Sequence, residues 1–235
     1  MIYTENYKVR YSETGESLTA SIPALMAYLQ DTSINHSEHA GIGLEKLSKL
    51  NLAWILAGWH VKIERFPNVG EKLMANTWAS GFKNMYGYRN FNIIDENKNV
   101  IAKAASVWIL YNYKDMKFEK TSREDIECYG VENISVFSDD TVYKLKKRDN
   151  YEKKCDIKVQ KTDIDTNGHV NNIGYIAYIV NAFSELNFTE FRIQYKSQAR
   201  LGDTIEIYYN FDSDTKSILL SSPDGTVYAL AEIIA

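Results

Sequence analysis

The chain has 235 residues, room for one or two domains, and its 45% apolar content is enough to fill a sizeable core. A net charge of -4 argues against a nucleic-acid partner, and a 13% aromatic share that includes 17 Tyr leans toward β structure. The N-terminal stretch MIYTENYKVRYSETGES lacks an apolar h-region, no run of 18 apolar residues occurs, and Cys128 and Cys155 have no metal-site spacing. The expectation is therefore a cytoplasmic protein with free thiols, no transmembrane helix, no metal and no cofactor.

The first predicted element is an amphipathic helix. Leu25, Met26, Leu29, Ser33 and His36 fall at i, i+3, i+4 spacing, Ser21 is placed to cap the helix, and Pro23 suits its first turn. His36 and His39 sit three apart at its end, a pattern more readily explained by the surface or the core edge than by a metal. Next, Trp59 to Ala79 reads as strand, Gly-acid turn, strand. Val100 to Ile109 follows as a further strand after the turn Asp95 to Asn99.

A polar stretch from Ser138 to Asn150 reads as an exposed connection, which places the boundary between residues 1–140 and 141–235. The densest polar cluster follows, in Thr162 to Phe183: Asp163, Asp165, Asn167, His169, Asn171 and Asn172. Asp, Asn and Gly favour a turn here, with Asn167 and His169 as candidate caps of the next helix. That helix carries a stripe of Ile173, Ile176, Ala177, Val180 and Phe183. A helix N-terminus offers unpaired N–H groups and partial positive charge, which suit a developing oxyanion. A carboxylate, an amide and an imidazole beside it can move a proton. The plainer reading is a polar loop whose side chains only cap the helix.

Phe191 to Phe211 repeats the earlier hairpin. Val61 matches Ile193, Ile63 matches Tyr195, Gly70 matches Gly202, Glu71 matches Asp203 and Leu73 matches Ile205. Val227 to Ala235 then matches Val100 to Ile109, with a shift in offset absorbed by the tighter turn Pro223-Asp224-Gly225-Thr226. Each half is thus a helix followed by antiparallel strands, and a sheet with one wet face needs that helix to bury its other face. The expected fold class is α+β, a tandem (double) hotdog, each half a long helix wrapped by a curved antiparallel sheet.

The run DTNGHVNN, Asp165 to Asn172, with Tyr175 three residues on, resembles the second-domain motif of the acyl-acyl carrier protein thioesterases of plants and bacteria. Gly81 to Asp95 with Arg89, the Ser106-Val107-Trp108 strand, and Leu52 to Glu71 resemble other stretches of that family, so the likeness covers nearly the whole chain. It implies hydrolysis of a fatty acyl thioester carried on acyl carrier protein as acyl-phosphopantetheine. Asp165, Asn167 and His169 match the catalytic Asp, Asn and His. Gln198 stands where the family often has Glu, and an amide orients water but does not take its proton as a carboxylate does. Ala199 stands where some members have a Cys, so no Cys-His mechanism works at that position. Asn171, Asn172 and Tyr175 are expected at the substrate.

The resemblance places the acyl chain in the first half, with Leu25, Met26, Leu29, Trp54, Trp59 and Met85 as candidate lining, though each taken singly fits an ordinary core position. The acidic carrier protein needs a basic face, for which Lys144, Lys146, Lys147, Arg148, Lys153 and Lys154 are the candidates; a solvated linker is the competing reading. Two alternatives stay open, an acyl-CoA thioesterase and a non-catalytic acyl-binding hotdog protein. Hotdog hydratases carry one more residue between Asn and His than DTNGH does. Whether two chains form a homodimer is not legible in the sequence.

Overall fold

The structure is a computed structural model that describes residues 1–138, 144–212 and 215–234, the side chains of residues 124 and 125 excepted. It divides into two compact units, one of Met1–Ala57 and Val61–Asp140, the other of Gly58–His60 and Thr141–Ala235. The boundary expected between residues 140 and 141 lies outside the described residues.

The first unit opens on strand β1 (Tyr3–Lys8), whose alternate residues turn inward. Helix α1 (Ile22–His39) follows. The Ala24 N–H donates to Ser21 Oγ at 3.3 Å and Pro23 occupies the first turn, where its missing N–H costs nothing. The helix buries Leu25, Met26, Leu29, Ser33 and His36, the stripe that the spacing predicts, and with them Ile22, Ala24, Tyr28 and Thr32. Each fully buried aliphatic residue there contributes roughly 1.5–3 kcal/mol. After the short helix α2 (Leu44–Lys49) come β2 (Leu52–Ile63), β3 (Lys72–Lys83), β4 (Tyr86–Asp95), β5 (Val100–Asn112), the two-residue β6 (Lys117–Phe118) and helix α3 (Arg123–Tyr129). The strands run in the order β1-β3-β4-β5-β2, with β6 on β5. Ala75, Phe91, Ile93 and Ala104 are fully buried.

The second unit repeats the plan. Strand β7 (Glu152–Lys158) and helix α4 (Asn172–Ala182) are followed by β8 (Glu190–Tyr195), β9 (Thr204–Asn210), β10 (Thr215–Ser221) and β11 (Val227–Ile234). The order is β8-β11-β10-β9-β7, and each neighbouring pair runs antiparallel. The apolar stripe of α4 departs from expectation. Its buried residues are Tyr175, Ile176, Tyr178 and Ile179, while Ile173, Ala177 and Val180 are only half-buried; Ile176 is buried as expected, and so is Phe183, just past the helix end. Tyr175 and Tyr178 take core positions with their apolar rings, which the aliphatic pattern alone does not show.

The repeat reaches further than the two hairpins. The segment from Val9 to Ser21 matches in its bonding that from Val159 to Asn171. The Val9 N–H donates to Glu71 O and the Val159 N–H to Asp203 O; the Ala20 N–H donates to Pro67 O and the Val170 N–H to Ala199 O. Glu13 and Asp163 each accept the backbone N–H three residues earlier with their carboxylates. The bridge Thr14–Ala20 corresponds to Ile164–Val170.

Candidate active site

The loop before α4 is built around one carboxylate. Asp165 Oδ1 accepts the backbone N–H of Asn167 at 2.8 Å and of His169 at 3.2 Å. The backbone closes on itself, the Asp165 N–H donating to His169 O at 2.8 Å and the Gly168 N–H to Asp165 O at 3.1 Å. Gly168 has φ +79°, a conformation that a side chain resists; the other unit's loop uses Leu18 there at φ +57°. One oxygen of Asp165 therefore holds the loop, and no hydrogen bond to Oδ2 occurs among the described residues. Asn167 is exposed. His169 is half-buried, and its Nδ1 is a buried atom without a hydrogen-bond partner among the described residues.

The cap of α4 is neither Asn167 nor His169. Asn171 performs that function, its Oδ1 accepting the Ile173 N–H at 3.0 Å. The physical reason is distance along the chain: Asp165 to Val170 is consumed by the turn, and the residue that flanks the helix is Asn171. This leaves the side chains of Asn167 and His169 out of the capping role that the plainer reading gave them. The first turn of α4 is further fixed by the Tyr195 hydroxyl, which donates to Asn172 O at 2.9 Å.

The segment after β8 runs beside this loop. The Val170 N–H donates to Ala199 O at 2.9 Å, and the Ala199 N–H donates to the Tyr175 hydroxyl at 2.8 Å. Gln198, the preceding residue, is exposed. Tyr175 is 1% exposed, and burial pushes its hydroxyl up to about 12. It is a packed core residue whose only open atom is already bonded.

The candidate lining residues fall apart into groups. Leu25, Met26 and Leu29 are each 1% exposed in the core of the first unit. Trp54 and Met85 are half-buried there, Trp54 tilted against Phe82 at 6.1 Å between ring centres. Trp59 is fully buried and belongs to the second unit, not the first. A groove of about 690 Å³ in the first unit is lined instead by residues from Glu5 to Tyr11 with Tyr28, Asp31, Asn35 and Val69. Of the basic residues, Lys144, Lys146 and Lys147 are exposed; Lys153 is paired with Asp156 and Glu206 at 2.7 Å each and Lys154 with Glu185 at 2.9 Å.

One polar cluster is legible in the sequence only in part: His36 continues the α1 stripe, but its partners do not show. His36, expected at the surface or the core edge, is fully buried, and Arg89 Nη1 donates to its Nδ1 at 2.7 Å. Arg89 also donates to Thr77 Oγ1 at 3.2 Å and lies over the Tyr129 ring at 5.3 Å. Burial, with Arg89 beside it, pushes His36 down to about 3, and burial lowers Arg89 to about 10. The i+7, i+11 continuation of the Leu25–Leu29 stripe to His36 is the available signal. The loop repeat is as hard to see, though Val9, Ala20 and Ser21 stand 150 residues before Val159, Val170 and Asn171.

Two family models match the chain: the acyl-ACP thioesterase N-terminal domain over residues 1–129 and its C-terminal domain over residues 146–230. The chain belongs to the acyl-ACP thioesterase family. It is similar to a chloroplastic palmitoyl-acyl carrier protein thioesterase of Cuphea hookeriana, 32% identical over 197 residues, 77% of this chain and 47% of that one. The chain thus spans about half the length of the curated relatives it matches. An acyl-ACP thioesterase structure from Bacteroides thetaiotaomicron matches at TM-score 0.91 and 22% identity, covering 99% of this chain and 97% of that one. A 12:0-ACP thioesterase from Umbellularia californica matches at TM-score 0.84 and 22% identity, covering 99% and 96%. The fold is the double hotdog that the repeat predicts. No helix among the described residues is long and apolar enough to cross a membrane.

Proposed function

We propose that the chain hydrolyses the thioester of a fatty acyl group carried on acyl carrier protein, releasing free fatty acid. The observation that carries this reading is the pairing of a match to both family domains with a loop whose Asp165, Asn167 and His169 are spared from helix capping. In the other unit the same backbone carries Gly15, Ser17 and Thr19, none of which is an acid or an imidazole. The other loop closes with the same backbone bonds and without an acid or an imidazole, which supports a chemical use for Asn167, His169 and the second oxygen of Asp165.

His169 or the open oxygen of Asp165 takes the proton of the attacking water, and Asn167 orients the water or the carbonyl. The water oxygen bonds to the acyl carbon, the C–S bond breaks, and the departing thiolate regains a proton. N–H groups at the start of α4, near Val170 to Asn172, are the candidate oxyanion donors. Gln198, on the segment beside the loop, positions water rather than deprotonating it. The acyl chain is assigned to the first unit, with Trp54 and Met85 the candidates that remain partly open. The exposed Lys144, Lys146 and Lys147 are candidates to meet the acidic carrier protein.

The test is free-thiol release from a panel of acyl carrier protein and acyl-CoA thioesters. His169→Ala is expected to lower kcat by about 10²–10⁴-fold, the usual scale of general acid–base catalysis. Asp165→Asn retains an oxygen for the two loop N–H groups, so its loss of activity reports on the carboxylate and not on loop collapse. Full activity in both folded variants sinks the assignment. Faster release from CoA esters moves the chain to the acyl-CoA class, and no release from any ester makes Gln198 the mark of an acyl-binding protein.

A further inference from the structure

We propose that Tyr175 is a positioning residue of this site: its buried hydroxyl holds the segment that carries Gln198 against the Asp165–His169 loop. This rests on reading that loop as hydrolytic. Both backbone polar groups of Ala199 are tied to the segment that begins α4, its carbonyl to the Val170 N–H and its N–H to the Tyr175 hydroxyl. Gln198 directly precedes Ala199, so its backbone direction is set by those two bonds. Tyr175 is itself fixed, 1% exposed with the Tyr195 ring 5.8 Å away, and Tyr195 is bonded to Asn172 O. Burial keeps the Tyr175 phenol neutral, so the hydroxyl accepts the N–H and still holds its own proton.

The first unit supplies an internal control. There the Ala20 N–H donates to Pro67 O at 2.8 Å, the counterpart of the Val170–Ala199 bond. The residue in the place of Ala199 is therefore Pro67, which has no N–H to donate. The place of Tyr175 is taken by Leu25, which has no hydroxyl, and that of Gln198 by Phe66. The fold thus closes this loop with one bond and has no need of the second. The second bond appears only in the copy that also carries Asp165, Asn167, His169 and Gln198. A group required only to satisfy a buried N–H is replaceable by a proline at that position, as the first unit demonstrates.

The experiment compares the unmodified chain with Tyr175→Phe, Gln198→Ala and the double variant. Hydrogen exchange at the Ala199 amide needs no activity: protection is expected to fall at least about tenfold in Tyr175→Phe, and unchanged protection overturns the bond itself. With an acyl carrier protein thioester, kcat is expected to fall about tenfold with KM within about twofold, and Gln198→Ala to add little in the Tyr175→Phe background, because residues acting as a unit are not additive. An unchanged kcat, or effects of the two substitutions that simply multiply, shows that Tyr175 does not act through Gln198 and overturns the proposal. If the unmodified chain releases no thiol, the hydrolytic reading has failed, and the positioning role falls with it, while the exchange measurement still decides the bond.

Discussion

At the scale of single residues, the charge states follow from burial. His36 is fully buried, accepts from Arg89, and titrates near 3 in the folded chain against 6.5 for the free side chain. A depressed value means that the unfolded chain binds the proton first. The stability His36 contributes is therefore complete above pH 6.5 and is lost as pH falls toward 3. The difference amounts to a few kcal/mol, roughly 1.4 kcal/mol per unit. His36→Gln keeps an acceptor for Arg89 but cannot titrate, so chemical denaturation of that variant is expected to show a flatter stability profile across this window; an unchanged slope rules out His36 as its source. Asn171→Ala removes the α4 cap and is expected to cost about 1 kcal/mol by the same measurement, whatever happens to thiol release.

Elements are legible where their periodicity is simple. Helix α1 shows its stripe, its cap and its proline in the letters, and the structure reproduces all three. Helix α4 is legible as a helix but not in its facing, because Tyr175 and Tyr178 count as polar by their hydroxyls and as core by their rings. The register of the strands is enforced by packing that no single segment displays. Gly87 of β4 is an example: a Cβ there would lie 3.3 Å from the Trp54 ring and 3.2 Å from Phe82. Gly87→Ala requires one of those side chains to give by a few tenths of an ångström, and a lowered thermal midpoint is the expected result; an unchanged midpoint shows that the half-buried rings yield freely. The loop chemistry is legible as a set of residue types; what those side chains bond to is not, because Asp165 spends one oxygen on backbone groups that no motif contains.

For the whole molecule, the repeated hairpin is enough to give the tandem architecture, since two copies of one plan leave matching glycines and acids at matching turns. What distinguishes the copies is harder to see, because it lies in side chains carried by equal backbones. The basic stretch belongs to this scale as well, and it thins once its ion pairs are taken into account. Lys153 and Lys154 are engaged by acids, which leaves Lys146 and Lys147 among the exposed cations. Reversing both charges, K146E with K147E, is expected to raise KM for a carrier-protein thioester severalfold at low ionic strength. The gap should close near about 0.5 M salt, where screening is short-ranged. A KM that ignores both charge and salt removes this face from the docking reaction.

The two loops of equal backbone make the chain its own spare part. Transplanting Gly15 to Thr19 over Asp165 to His169 is not a deletion but an exchange of one natural solution for another: the backbone-to-backbone bonds that close the recipient loop are present in the donor, and only the two N–H groups held by the Asp165 carboxylate lose their acceptor. If the proposed hydrolysis is right, the resulting protein is expected to keep its architecture and to act as a decoy, still engaging the thioester while releasing no thiol from it.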